Sequence, residues 1–332
     1  MLNFFRSNNP LAVVILLLLT IFCKLPVLWH PELPLYVADS QYVWKIVAGI
    51  LSDFLGQNAF LVSTLALLNI FGQALMLNHI ANRHHIFPQN TYLPAMTYIL
   101  LSSLFVEWNY LSAALIANWF LLATYAAIFR LSAEGQVRKE IFNIGCFLSL
   151  SAMLVFPNIF LLLALFVALR LLRPFKPAEW VLGLLGLCTP IYFLAGILLL
   201  FDKLPVLHDL IAIGFELPGK LLHPEKVIAP LFVMLLLFVV GAFFLQGFMS
   251  RMLTVTKKQW TLIIVLLGLT LLAGTFTVAK GYNQWLAALV PVTWIIANLW
   301  VAETKKWIMQ VLFYLLIGVV IFVQWFPNDA LV

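Results

Sequence analysis

Two carboxylates, Glu32 and Asp39, stand in the segment PELPLYVADS just past the first apolar run. At that place one can act as general base toward an acceptor hydroxyl while the other positions it or a cation. The same residues also fit ordinary local structure. Asp39 or Ser40 caps the helix that follows, and Glu32 sits in a solvated turn between Pro31 and Pro34. That helix is expected over 40–55. Its polar positions Gln41, Lys45, Ala48, Gly49, Ser52 and Asp53 lie opposite Tyr42, Val43, Ile46, Val47, Ile50, Leu51 and Phe54, the pattern of a helix lying on a membrane surface.

A second group of chemically able residues falls in 202–227, which carries Lys203, His208, Asp209, Glu216, Lys220, His223, Glu225 and Lys226. Its lysines, Lys220 and Lys226 in particular, together with Lys280, suit a lipid-linked phosphate. His208 with Asp209, Glu216 or His223 offers a divalent cation some ligands, but the spacing matches no metal motif, and neither a metal nor another cofactor is expected. A third group pairs Glu107, Trp108, Asn109 and Tyr110 with Lys280, Tyr282, Asn283 and Gln284. Glu107 and Gln284 read as further substrate contacts, or the aromatic residues read as anchors at the membrane boundary. Asn82-Arg83-His84-His85 is a basic turn whose adjacent histidines point apart, so it reads as a topology signal. The chain has no phosphate-binding glycine loop, HExxH helix, GxSxG elbow or mid-span acidic pair. It therefore lacks the signatures of an intramembrane protease or of a pump driven through a carboxylate relay.

These groups hang on long apolar runs. The chain has 332 residues, 64% hydrophobic and 10% charged, with a mean hydropathy of +1.05, which excludes a soluble domain. Cys23, Cys146 and Cys188 lie inside apolar runs as packing residues. The expected fold is an all-α polytopic membrane helix bundle, a single domain over 1–332. About eleven transmembrane helices are expected, near 10–29, 58–81, 90–106, 110–129, 141–156, 158–172, 179–201, 228–249, 259–279, 284–302 and 307–326. An interfacial amphipathic helix follows the first span. The first apolar run lacks a small-x-small cleavage site and is expected to stay as a span. Outer loops are expected at 30–57 and 202–227.

With the amino terminus inside, 13 of the 19 Lys and Arg fall on the inner side and nine of the 13 acidic residues on the outer side. By the positive-inside rule this gives a cytoplasmic amino terminus and an outer carboxyl terminus, which is periplasmic if the membrane is the bacterial inner membrane that the resemblance below implies. The net charge of +6 is spread over short connections, so no nucleic-acid partner is expected; the surroundings are membrane lipids.

The pieces MLNFFRSNNP, NRHHIFPQNTYLPAMTYILLSSLF (82–105) and IFNIGCFLSLSAMLVFPNIFLLLALFVALRLLRPFKPAEW (141–180) resemble an uncharacterised family of polytopic inner-membrane proteins of Bacteroidota-type bacteria. That likeness implies a location and no activity. The order of elements, with a first span, acidic outer loop, interfacial helix and short paired spans at 90–129 and 141–172, resembles the membrane module of the GT-C glycosyltransferases. This implies glycosyl transfer from a polyprenyl-phosphate sugar at the outer face of the inner membrane. Asp39, or else Glu32, would match the catalytic acid. The chain departs from that group in having no acidic doublet or DxD in the loop and no soluble periplasmic domain. Two alternatives stand beside it: a non-catalytic subunit of an envelope assembly, with an envelope protein as partner, and a lipid or small-molecule transporter.

Overall fold

Apolar runs with charges confined to their ends fold as helices, because a helix satisfies its backbone hydrogen bonds internally and so tolerates lipid. A computed structural model describes residues 2–6, 9–31, 42–55, 58–131, 137–209, 211, 214, 224–250, 252–277, 281–301 and 306–326. Every regular element among them is helical. The short α1 (Leu2–Arg6) leads to α2 (Leu11–Trp29), α3 (Tyr42–Leu55) and α4 (Ala59–Arg83). Then come α5 (Leu93–Ser102), a first 3-10 turn (Val106–Asn109), α6 (Ala113–Arg130) and α7 (Val137–Leu154). A second 3-10 turn (Phe156–Leu161) enters α8 (Leu162–Leu172), followed by α9 (Pro177–Leu200), the one-turn α10 (Val206–Asp209) and α11 (Glu225–Met249). The chain ends with α12 (Thr254–Thr275), a third 3-10 turn (Asn283–Ala288), α13 (Leu289–Val301) and α14 (Lys306–Trp325). Helix starts carry the expected caps: Asn58 accepts from the N–H groups of Phe60 and Leu61 at 3.1 and 3.4 Å, and Ser112 accepts from Leu115 N–H at 3.3 Å.

Eight helical segments are long and apolar enough to cross a membrane, rather than eleven: Leu11–Trp29, Ala59–Arg83, Ala113–Arg130, Pro177–Leu200, Glu225–Met249, Thr254–Thr275, Asn283–Val301 and Trp307–Trp325. The three that fall away have distinct reasons. α5 has 10 residues, a rise of about 15 Å against a hydrocarbon thickness of about 30 Å. Every one of its residues is buried, so its apolar character serves contact with α4 and α13, not with lipid. α7 opens with Arg138, Lys139 and Glu140, which makes its first turn polar. The run Phe156–Leu172 is divided between a 3-10 turn and the 11 residues of α8.

α13 is the enclosed axis of the bundle, and α9 and α11 are exposed around most of their circumference, as lipid-facing helices are. α7 and α9 meet backbone to backbone. A Cβ on Gly145 would run into the carbonyl oxygen of Gly183, and one on Gly186 into that of Phe142. This close approach follows the small-residue packing of membrane helices.

α3, at 14 residues, is too short to cross. It differs from the expected amphipathic pattern in one respect. The side turned into the bundle is centred on Trp44 and Ala48, whereas Ile46, Ile50 and Phe54 remain exposed beside the polar face of Lys45 and Asp53. The helix thus has three faces, toward protein, an apolar surround and water, and a two-way division by polarity had assigned Ala48 to the wrong one.

The two ends of the bundle differ in charge. One end gathers the last turns of α2, α12 and α14, the first turn of α11 and the 3-10 turns, through contacts among Lys24, Asn109, Gln324, Tyr282 and Lys226 and the Phe160–Phe276 ring pair. Both long loops spring from this end. The other end carries Arg6, Arg83, Arg130, Arg138, Lys139, Arg170, Arg173, Lys176, Lys257 and Lys258 with only Glu140 and Glu179 among the described carboxylates.

Candidate functional site at the loop-bearing end

α5 stops where Ser102 and Ser103 turn their hydroxyls back on the Ile99 carbonyl, each at 2.9 Å. The carbonyls of Ser102 and Ser103 then have no helical partner, as at any helix end. Side chains from distant helices satisfy them. Lys24 Nζ, on α2, donates to Ser102 O at 3.5 Å and to Asn109 Oδ1 in the first 3-10 turn. Asn109 Nδ2 donates to Gln324 Oε1 on α14 at 2.9 Å, and Gln324 Nε2 donates to Ser103 O at 2.7 Å. Lys24, Asn109 and Gln324 are all buried, at 2%, 2% and 4% exposure. Among the described residues no carboxylate pairs with Lys24. A buried amine held by neutral acceptors is rare in a membrane helix and marks functional sites more often than packing.

Beside this chain of amides, Glu107 joins the first 3-10 turn to the third. Its carboxylate accepts the Tyr282 N–H at 2.6 Å and also the N–H of Asn283. Trp108 Nε1 donates to Tyr282 O at 2.9 Å, and the Phe105 ring stacks on Tyr282 with centroids 5.6 Å apart. Gly281 makes the approach possible: its φ is +138°, and a Cβ there would lie 2.8 Å from Glu107 Oε2. Trp108 is therefore an interior hydrogen-bonding residue and not the boundary anchor its type suggests.

Burial pushes the Glu107 carboxyl above its usual range, and the two backbone N–H groups only partly offset this. The Tyr282 phenol is raised as well, first by burial and then by the nearby Glu107 charge. Because folding raises the Glu107 pKa, the protonated form favours the folded state. Its contribution is fully present below the ordinary glutamate value and is lost as pH rises through the folded value. Thermal unfolding from about pH 4 to about pH 7 should therefore show the wild type losing ground to Glu107→Gln, whose amide does not titrate. A stability difference between the two that stays constant with pH would contradict this assignment.

The residues singled out from sequence meet the structure unevenly. Glu107 and the turn holding Gln284 come together, and Gln284 is buried. Lys226 Nζ donates to Phe326 O, tying the start of α11 to the end of α14 at the same end of the bundle. Glu32, Asp39, Lys220 and Lys280 lie outside the described residues. Among the described residues no three His, Cys, Asp or Glu side chains converge in a way that could hold a metal ion. By position in the sequence Lys24 is one of the six Lys and Arg sorted to the outer side. Its signal was present all the same: a lone charge inside the run LTIFCKLPVLW, within a span. The chain matches no family model, no curated protein and no solved structure.

Proposed function

We propose that the protein transfers a sugar from a polyprenyl-phosphate donor to an envelope acceptor at its loop-bearing end, in a bacterial inner membrane with that end outward. In this reading Asp39 takes the proton of the acceptor hydroxyl while the freed oxygen attacks the anomeric carbon. The bond from that carbon to the phosphate oxygen breaks, and the leaving polyprenyl phosphate keeps the electron pair. Lys226, with Lys220 and Lys280, stabilises its charge, and Glu32 positions the base. The supporting observation is the convergence of elements. The anchors of both acidic and basic loops, the surface helix α3 and the Glu107–Lys24 polar cluster all belong to one end of the bundle. Radiolabel transfer from polyprenyl-phosphate sugars by the purified protein tests it. Asp39→Asn should lower transfer by about 100-fold or more while leaving thermal unfolding unchanged. An Asn variant as active as the wild type removes Asp39 from the chemistry.

A second reading, an integral subunit of an envelope assembly, is favoured by the exposed stripe of Ile46, Ile50 and Phe54 on α3. It requires that Ile50→Glu release a co-purifying protein and that Asp39→Asn have no effect.

A further inference from the structure

At the opposite, basic end, α4 closes in a way that its sequence does not make easy. The His85 N–H donates to Asn82 O at 3.3 Å and the Ile86 N–H to Ala81 O at 3.0 Å, the paired bonds of a Schellman C-cap. The residue at the left-handed position of that motif is normally glycine. Here it is His85, with φ +51°, a conformation unfavourable for any residue with a Cβ.

The turn is rigid. Asn82 Nδ2 donates to Thr91 O and Thr91 N–H returns to Asn82 Oδ1, both at 3.2 Å, closing the loop from 82 to 91. Ile86 and Phe87 are buried beneath it, and the Phe87 ring meets Trp260 edge-on at 5.9 Å. His85 is thus held outward on a fixed platform, at the ends of two apolar helices.

The charges around this platform are not balanced. Arg83 and His79 are exposed beside it, and Arg130 at the end of α6 reaches the same place. Arg130 Nη2 pairs with Glu140 at 3.0 Å, yet its Nε is enclosed without an acceptor. Arg138 and Lys139 extend the positive surface over the first turn of α7. His84, packed on the Phe129 ring, has its pKa lowered to about 4, by burial first and then by Arg83, Arg130, His79 and His85.

We infer that the α4–α5 turn and the end of α6 form a binding site for the phosphate of an anionic phospholipid, with Arg83, His85 and Arg130 as its donors. The strained His85 supplies a donor where glycine could not, and the site stands at the ends of two helices, Ala59–Arg83 and Ala113–Arg130, that are long and apolar enough to cross a membrane. The membrane is the favoured source of the phosphate because the donors stand at the ends of two candidate spans.

The test uses the full chain in phosphatidylcholine nanodiscs, with phosphatidylglycerol titrated in and thermal unfolding as readout. Phosphatidylglycerol should raise the unfolding temperature of the wild type. His85→Gly should raise the unfolding temperature in phosphatidylcholine alone, by relief of the backbone, yet need about fivefold more phosphatidylglycerol for the same shift. Arg83→Gln should show the same fivefold loss without the baseline gain. Arg173→Gln, at the same end but just past α8 and held against Glu179 of α9, outside the α4–α5 turn and the end of α6, should respond as the wild type does. An unchanged lipid response in both His85→Gly and Arg83→Gln would overturn the site. So would an equal loss in Arg173→Gln, which would reduce it to general surface charge. Equal protection by inorganic phosphate would overturn the assignment to lipid in favour of the free anion.

Discussion

Gly186→Leu should prevent α7 and α9 from closing on one another. The glycine has no room even for a methyl group, since a Cβ would occupy the space of the Phe142 carbonyl oxygen, and Gly145 faces the same helix from the other side. The neighbour in the way is backbone, which cannot move by changing rotamer. Both helices must separate, and the contacts along their whole interface weaken together. The expected loss is about 3 kcal/mol or more, at the upper end for overpacking. Gly196→Leu lies on α9 as well but meets nothing within 4 Å, and it should gain up to about 1 kcal/mol from helix propensity. Thermal unfolding in detergent, with the yield of monodisperse protein, distinguishes them. Equal behaviour of the two variants would mean that the close α7–α9 approach is not a property of the protein.

The second large effect lies in the polar cluster. Asn109→Leu removes the side-chain acceptor of the Lys24 amine and the donor to Gln324 Oε1, leaving both buried. A buried amine left with only its long contact to Ser102 O, at 3.5 Å, is strongly destabilising, by about 3 kcal/mol or more. Lys24→Met keeps the length of the side chain and removes the charge, so it should cost only about 1 kcal/mol, for the unsatisfied Asn109 oxygen. The two substitutions should be coupled: Lys24→Met placed on Asn109→Leu recovers most of the loss, because the group that suffered is gone. A double variant less stable than Asn109→Leu alone would show that Lys24 contributes through something other than this contact.

Lipid-facing helices were legible in the sequence because lipid demands apolar residues on every side, and α9 and α11 meet that demand. α5 was misread for the same reason. A helix buried in protein on all sides has the same composition as one immersed in lipid, and only its length of 10 residues separates the two. The sorting of charge between the two ends was readable because it depends on position along the chain. The cluster around Lys24 was not. Asn109 finds Gln324 across 215 residues, and nothing local in VEWNY or FVQWF indicates that their amides meet. Trp108 was misassigned because a boundary anchor and a buried donor use the same residue type, and the difference lies in the carbonyl of Tyr282, far along the chain.

The hydrogen bonds that join the first helices to the last also impose an order of assembly. Arg6 of α1 donates to the carbonyl of Trp300 at 2.9 Å, and the chain of amides begun by Lys24 ends on Gln324. Both cations are made early in this stretch of chain, yet their surroundings include residues that follow about 300 positions later. Until α14 arrives, Asn109 Nδ2 and the Ser103 carbonyl must be served by water or by transient neighbours. The bundle therefore closes only after α14 is made, as a ring with α14 as its latch. A chain stopped before Lys306 would differ from the finished protein near its beginning as well as at its end.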